Sequence, residues 1–532
     1  MVDAPGDNLL AEFASAVDAV QGTVAIQHEL KTRNAVLPVH RQMHYRIGIN
    51  VGDVGVEGER IYGDGVNIAA RLESLADGGG ICISGNVHEQ VENKLNVAFS
   101  YQGEQTVKNI AKPVRVYKVE LDAEAATPTL GREPPAELPL PDKPSIAVLP
   151  FTNLNNDPEQ EYFSDGMTDD IITDLSKISG LFVIARNSTF TYKGRAVTIS
   201  KVGRELGVRH ILEGSVRKAG NRIRINVQLI DAPTGRHVWA ERYDRELEDI
   251  FALQDEVTQK IVAVLQVKLT AGEQERRGRP LTDNVVAYDY YLRGVEYYYR
   301  RTQGANAQAR ELFEQAIDLD ARFAAAYALL GRTYLTEWAV GWSNNPQSVE
   351  RAAELVHQAV SLDDASPMAH LALGLVYVWQ KQHDRAIAEA RKAIALNPSD
   401  AEGYAVLSDI LNYAGRPAEV RDLIEQAIRL DPHYPAEYLS NMGRAYFLLG
   451  QHEEAITILR RVVIRNPDYG PAHVRLAILY SELGRQAEAQ AEIAEVLRIY
   501  PRLSLAHYRR APYKDPAVME RYMNGLRKAG LK

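Results

Sequence analysis

Apolar residues follow different rhythms in three stretches of the chain, and each rhythm predicts different elements. Phe13, Val17, Val20 and Val24 recur at spacings of four, three and four, which places them on one face of an amphipathic helix. A strand-like run from Tyr45 to Val51 follows, then a helical segment around Asn67, then short strands near Ile81, Ala98 and Val114. Residues 1–120 therefore read as an α/β domain. Between 121 and 144, Pro128, Pro134, Pro135, Pro139, Pro141 and Pro144 are interspersed with Ala and Glu, a composition that favours an extended, semi-rigid connector. Residues 145–275 open with the apolar strand Ile146 to Phe151 and a helix whose expected cap is Ser164 or Asp165. Alternating runs from Ile211 to Lys218 and from Arg222 to Ile230 flank Gly220-Asn221 and read as a hairpin, with a further strand from His237 to Tyr243.

From about Tyr288 the pattern repeats. Pro398, Pro432, Pro467 and Pro501 are separated by 34, 35 and 34 residues, the period of tetratricopeptide repeats. Leu373-Gly374, Leu407-Ser408, Met442-Gly443 and Leu476-Ala477 give a large then a small residue where two helices would cross closely. Tyr377, Leu411, Tyr446 and Tyr480 follow in step, and Ala386, Val420, Ala455 and Ala489 hold the equivalent place on the second helix. Less regular copies from Tyr290 to Leu319 and from Tyr327 to Leu362 bring the array over 285–510 to about six units, with a capping helix from Pro516 to Leu531 in the segment 511–532. The resemblance implies an all-α superhelix whose concave groove takes a peptide or another protein. The stretch from Lys143 to about Leu269 resembles the amino-terminal domain of the TolB protein, which implies an α/β fold, a role in contacts and no reaction of its own.

Length and composition narrow the classes. A chain of 532 residues exceeds one core. Lys and Arg total 61 against 70 Asp and Glu, a net charge of -9 with no long basic block, so nucleic acid is not an expected partner. Cys82 is the only cysteine and lies in an apolar run, which excludes a disulfide framework and predicts a buried, inert thiol. The longest apolar stretches are strand length, and Asp3 and Asp7 stand where a leader would carry basic residues. No membrane segment and a cytoplasmic location are expected.

The candidate chemistry lies in Tyr62-Gly63-Asp64-Gly65-Val66-Asn67-Ile68-Ala69-Ala70-Arg71. Asn67 and Arg71 are one helical turn apart, so an amide and a guanidinium share a face. Gly63 and Gly65 leave the helix start bare, so backbone N–H groups and the positive end of the helix dipole can approach a phosphate. These residue types suit phosphoryl transfer, in which an Arg stabilises charge at phosphorus and an Asn orients a sugar. Taken alone, they also fit a polar helix start with a solvated arginine. Together with Arg46-Ile47-Gly48-Ile49-Asn50, Gly80-Ile81-Cys82-Ile83-Ser84, Val107-Lys108-Asn109-Ile110 and Pro113-Val114-Arg115-Val116-Tyr117, the segment resembles the class III adenylate and guanylate cyclases. The implied fold for residues 1–120 is the ferredoxin-like cyclase fold.

The resemblance implies attack of a ribose 3′ hydroxyl on the α-phosphate of ATP or GTP, with two Mg2+ or Mn2+ ions on two aspartates. Its second metal aspartate matches Asp7 in Gly6-Asp7-Asn8; read alone, Pro5-Gly6-Asp7-Asn8 is a turn. The first metal aspartate belongs to a strand and helix that would precede Met1. Either Met1 is a misplaced start, the preferred reading, or the domain is degenerate and cannot hold two metals by itself. Family members pair so that one subunit holds the metals and the other supplies the Asn and Arg, which implies a homodimer or a complementing cyclase subunit. Lys108 matches the lysine that contacts the triphosphate; alone it reads as a solvated surface lysine. In adenylate cyclases a lysine and an aspartate read the purine, and here Asp3 and Arg60 stand in their places with charges exchanged. A carboxylate can accept from the adenine amino group and a guanidinium can donate to a ring nitrogen; equally, the two can pair with each other. The expected function is an adenylate cyclase with protein-binding repeats, its activity doubtful in this shortened form. The alternative is a non-enzymatic tetratricopeptide scaffold. A carboxylate cluster of Asp165, Asp169, Asp170 and Asp174 reads as acidic residues favoured in a first helical turn.

Overall fold

The structure, a computed structural model, describes all residues except 1, 4–9, 12, 14, 35–41, 53–54, 58–59, 92–97, 106–112, 121–137, 156, 158–159, 196, 277–279, 344, 502 and 532. It divides into a unit Met1–Leu130 and a unit Gly131–Lys532.

The first unit contains β1 (Val2–Asp3), β2 (Leu10–Ala11), α1 (Ala16–Asn34), β3 (Ile47–Ile49), β4 (Gly55–Glu57), β5 (Arg60–Tyr62), α2 (Asp64–Leu75), β6 (Ile81–Ser84), α3 (Gly85–Val91), β7 (Ala98–Gln105) and β8 (Val114–Glu120). The sheet order is β3-β6-β8-β7, with β3 and β6 parallel and the other pairs antiparallel. Because strand side chains alternate faces, Ile81 and Ile83 pack with Val20 of α1, Val87 and Val91 of α3, Ile49 and Val119, while Cys82 meets Leu72 of α2, Ala76 just past its end, and Val116. Cys82 is buried, and that burial pushes its thiol pKa up, as expected of an inert cysteine. The helix predicted from Phe13 starts at Ala16 instead. Phe13 precedes it, is 42 % exposed, and its ring lies against Gly22. β1 and β2 pair antiparallel and flank Gly6-Asp7, which lie outside the described residues.

The second unit opens with β9 (Ser145–Val148), β10 (Thr152–Asn153), α4 (Glu161–Ser176), β11 (Phe182–Val183), α5 (Arg186–Phe190), α6 (Ile199–Leu206), β12 (His210–Ala219), β13 (Arg222–Asp231), β14 (Arg236–Glu246), α7 (Ile250–Val264) and α8 (Ala271–Arg276). The sheet order is β11-β9-β12-β13-β14, parallel up to β12 and antiparallel beyond, and β10 pairs with β12. The strand predicted to reach Phe151 ends at Val148. The last part of the expected connector is tied into this unit: Pro144 accepts from the Phe182 amide at 2.8 Å and Pro139 from the Arg429 guanidinium at 2.8 Å.

The helix expected to begin at Ser164 or Asp165 begins at Glu161. The apolar stripe Tyr162, Phe163, Met167, Ile171 and Leu175 includes the turn before those residues, and Ser164 is buried with its carbonyl accepting from Thr168. The four aspartates therefore lie along α4, not in its first turn, and each meets a partner: Asp165 pairs with Lys193 at 2.6 Å, Asp169 with Arg186 at 3.6 Å and Asp174 with Lys177 at 2.9 Å, while Asp170 accepts from Tyr288 and Gln254.

Six antiparallel helix pairs follow among the described residues: α9 (Val285–Tyr299) with α10 (Gln303–Leu319), α11 (Ala324–Ala339) with α12 (Gln347–Leu362), α13 (Pro367–Trp379) with α14 (His383–Leu396), α15 (Ala401–Tyr413) with α16 (Val420–Leu430), α17 (Ala436–Leu448) with α18 (His452–Arg465), and α19 (Gly470–Glu482) with α20 (Gln486–Ile499). Pro398, Pro432, Pro467 and Pro501 each stand two residues beyond a second helix, where a residue without an N–H stops continuation. Ala386, Val420, Ala455 and Ala489 are fully buried, and a Cβ on Gly443 would lie 2.8 Å from Leu459, so the small residues do mark close crossings. α21 (Leu505–Tyr508) and α22 (Pro516–Ala529) end the chain. α22 packs mainly on α19, where a Cβ on Gly525 would lie 2.6 Å from Ile478, and Arg521 grips Glu482 through two bonds of 2.6 and 2.7 Å.

Within this unit the α/β part and the repeats share cores, Tyr288, Tyr291 and Leu292 of α9 packing with Phe163, Met167 and Ile171 of α4. Polar ties reinforce them. The Ala185 amide donates to Leu430 at 2.9 Å, and the fully buried Ser188 hydroxyl donates to Asp431 at 2.5 Å while accepting from the His433 amide at 2.8 Å.

Candidate active site

α2 is seated on the sheet by a glycine. A Cβ on Gly48 would lie 2.1 Å from the Ala69 carbonyl oxygen and 2.2 Å from the Glu73 amide nitrogen, so the helix approaches β3 as closely as a bare backbone permits. Ile68 and Leu72 face inward, and Ala70, Arg71 and Ser74 face solvent. The helix start is fixed by the loop after β3: the Asn50 amide donates to the Gly65 carbonyl at 3.2 Å, and a Cβ on Gly52 would lie 3.2 Å from Gly65. An ion pair of 3.7 Å between Arg46 and Glu73 ties β3's approach to the helix's last turns.

Gly63 is the N-cap at φ 138, a backbone conformation that a side chain would strain, and its carbonyl accepts from the amides of Val66 and Asn67 at 3.1 and 3.2 Å. The first amides of α2, at Asp64 and Gly65, have no intrahelical acceptor and carry the positive end of the dipole. Asn67 and Arg71 lie on the outer face and are exposed, and neither side chain has a hydrogen-bond or ion-pair partner among the described residues. The structure thus brings Gly63, Gly65, Asn67 and Arg71 to one helix start and one outward face. At the other end, Asp77 accepts from Lys118 at 2.8 Å, and that charged bond holds its carboxyl below the usual range.

The remaining predicted residues lie outside the described residues, wholly or in their side chains. Asp3 lies in β1 opposite Leu10 and Arg60 in β5 opposite Glu57, on separate two-stranded ribbons whose side chains are outside the described residues, as are Asp7 and Lys108 altogether. Among the described residues no group of three or more His, Cys, Asp or Glu is placed to hold a metal ion. The predicted metal ligand Asp7 lies outside the described residues, and the chemistry derived below runs through Asn67 and Arg71 alone. Asn50, Gly48 and Gly52 act on the site by positioning α2. Their signal in the sequence is Gly-Ile-Asn at the end of a strand and Gly just beyond it, small and amide residues where a helix must close on the sheet. No helix of the described residues is long and apolar enough to cross a membrane.

Comparison with known proteins places these observations. Residues 8–120 match the adenylate and guanylate cyclase catalytic domain, residues 347–401, 411–468 and 446–511 match tetratricopeptide repeats, and residues 142–264 match the second domain of HilA/YgeH-like transcriptional regulators. The last match stands where the TolB amino-terminal domain was expected; the α/β character holds and the TolB likeness is not shown. The chain is 48 % identical over 383 residues to "Putative adenylate cyclase 3" of Rhizobium meliloti, covering 72 % of this chain and 65 % of that protein. It is 22 % identical over 326 residues to the transcriptional regulator HilA of Salmonella typhimurium, covering 61 % of this chain and 57 % of that protein. The chain thus spans about two thirds or less of the length of these relatives. An adenylate/guanylate cyclase/hydrolase structure from Silicibacter pomeroyi aligns with 40 % identity over 23 % of this chain and 72 % of that one, with a TM-score of 0.22.

Proposed function

We propose that the chain is a nucleotidyl cyclase subunit that converts ATP to cyclic AMP and diphosphate when paired with a second subunit, and that the repeats bind a protein partner. The observation that carries this reading is the outward Asn67 and Arg71, without a hydrogen-bond or ion-pair partner among the described residues, on a helix whose bare start is fixed by Gly48, Asn50 and Gly63. Side chains that act within their own subunit would be buried against a cleft. Side chains that complete a neighbour's pocket have to be presented outward, as these are. In that pocket Arg71 donates to the non-bridging oxygens at the α-phosphorus as charge builds during attack by the 3′ hydroxyl, and Asn67 holds the ribose so that this hydroxyl is in line. The match at 8–120 and the identity to the Rhizobium protein support the reading. Two Mg2+ or Mn2+ ions, Asp7 as a ligand, a contact from Lys108 to the triphosphate, and Asp3 with Arg60 as purine readers belong to the same proposal as its family-derived part, as does a cytoplasmic location.

The test is cyclic nucleotide formation from ATP and from GTP with Mn2+, by the purified full chain and by its Arg71→Ala and Asn67→Ala variants. Loss of one charge-stabilising donor costs about 100- to 1,000-fold in kcat with little change in KM. Turnover that neither substitution lowers overturns the proposal, and so does absence of turnover both alone and when mixed with a subunit that carries both metal aspartates. A second reading, a non-enzymatic scaffold, draws on the likeness to HilA across the α/β and repeat regions, and that last result would favour it.

A further inference from the structure

β12, β13 and β14 run ten, ten and eleven residues, well past the end of β9. α4 and α7 cover one face of this extension, through Val216, Ile223, Ile225, Val227 and Tyr243. On the other face α6 packs in a cluster with Ala147, Leu149, Ile211 and Ala232, at the near end of β12 and β13, so the polar residues that alternate with the core farther along are not covered by a helix. There Asn226 donates to Ser215 at 3.0 Å and Gln228 to Glu213 at 3.2 Å, which orients four side chains side by side. Each keeps capacity to spare: the amide oxygens of Asn226 and Gln228, the Ser215 hydroxyl proton and a Glu213 oxygen remain to meet hydroxyl groups.

A loop overhangs this array and borders an open cavity of about 680 Å3. The loop is held at two points. The Tyr192 ring is buried with its hydroxyl donating to Glu205 at 2.7 Å, and Lys193 is neutralised by Asp165 and Glu161 at 2.6 and 2.8 Å. Gly194 then turns at φ +70 and delivers Arg195 to the cavity, where its guanidinium has no hydrogen-bond or ion-pair partner among the described residues. Across the cavity Arg242 lies 3.2 Å from Asp244, a carboxylate already taken by Arg224 at 2.6 Å. Two guanidiniums thus share one acid while a third has none, and Glu213 offsets only part of the excess.

We propose that this cavity binds a small hydroxylated anion of sugar-phosphate size: Arg195 and Arg242 take the anionic group, and Ser215, Asn226, Gln228 and Glu213 take the hydroxyls. The volume lies within the range of about 300–1,000 Å3 usual for small-molecule sites. A guanidinium presents a planar fork of donors that suits a phosphate or carboxylate. A bare inorganic anion would leave the amide row unused, and a neutral sugar would leave two cations unmet.

Isothermal titration of the full chain with ribose 5-phosphate and glucose 6-phosphate, with ribose, glucose and inorganic phosphate as comparators, tests this. At least one sugar phosphate is expected to bind at least about tenfold more tightly than its sugar or than phosphate. Arg195→Ala and Asn226→Ala should each weaken it by about tenfold or more, the cost of one charge-assisted or well-placed hydrogen bond. Arg236→Ala, on the same strand outside the cavity, should leave it unchanged. Arg71→Ala should do the same, which separates this site from the proposed cyclase site. Failure of both sugar phosphates to bind at about 1 mM overturns the proposal, as does binding that Arg195→Ala leaves intact or that the neutral sugar matches.

Discussion

Gly48→Ala tests whether α2 is held where the geometry puts it. The added Cβ would sit 2.1 Å from the Ala69 oxygen and 2.2 Å from the Glu73 nitrogen, each more than 1 Å short of the 3.4 Å at which ordinary contact begins, and 2.9 Å from the Glu73 Cα. All three atoms are backbone, so no rotamer change relieves the clash and the helix itself must lift from β3. Overpacking of this kind costs about 1–3 kcal/mol. The lift also loosens Leu72 and Ala76 from Cys82 and Val116, contacts that make up the core on that face of the sheet. For a unit of this size each kcal/mol lowers the melting temperature by about 4 °C, so the first unit should melt about 4–12 °C lower while the second keeps its transition. Scanning calorimetry of the full chain reads both, and hydrogen exchange at the amides of Ala69 to Glu73 reports the helix directly. Under the proposed function, displacing Arg71 by about 1 Å costs on the order of 100-fold in turnover. Gly78→Ala is the control, because its Cβ would meet only His44 at 3.4 Å. A Gly48→Ala protein that melts within about 1 °C of the parent and exchanges α2 amides at the parent's rate would refute the claim that the helix rests on this glycine.

Two further predictions concern the joint between the α/β part and the repeats. Burial pushes the Asp170 carboxyl up to about 7 from its ordinary 3.8, against the hydrogen bond from Tyr288 that favours the charge, and burial likewise raises Asp400 to about 7. A carboxyl raised on folding binds its proton more tightly in the native state, so its stabilisation is full at the acid end and is lost as pH rises from about 4 to about 7. That interval corresponds to on the order of 4 kcal/mol, reduced to about 2–3 kcal/mol by the residual exposure of Asp170. Asp170→Asn, which can still accept from Tyr288, should therefore stabilise the second unit at pH 8 and flatten its pH dependence; urea titrations at pH 5 and pH 8 decide it, and equal loss at both would contradict the assignment. Ser188→Ala removes a donor from the buried Asp431 and an acceptor from the amide of His433, a residue that is itself exposed. It should cost about 2–4 kcal/mol in the same assay, and a change below about 0.5 kcal/mol would show that the joint does not depend on it.

What the sequence disclosed divides by the range of the interactions involved. The repeats were legible because successive units meet in the same way: a small residue recurs where two helices cross, and Pro398, Pro432, Pro467 and Pro501 stop successive second helices at one phase. The outward face of α2 was legible for the same reason, since Asn67 and Arg71 share a face by helical spacing alone. Misreadings arose where a side chain's partner is distant in sequence. Ser164 and Asp165 have the composition of a cap, but Asp165 pairs with Lys193, 28 residues on, and Asp170 with Tyr288, 118 residues on, so those acids serve the sides of a helix that starts a turn earlier. α3 and the ribbon of β4 and β5 escaped notice because they are only seven and three residues long, too short for a period to register. The cavity over β12 to β14 was invisible for a different reason: the strand pattern shows that one face is polar, but only the reach of α6 shows that this face stays uncovered. The residues proposed to carry chemistry in this chain are thus read from spacing when they lie on one element. When several elements build the site between them, only the packing reveals it, and the tests of Arg71 and Arg195 address one case of each.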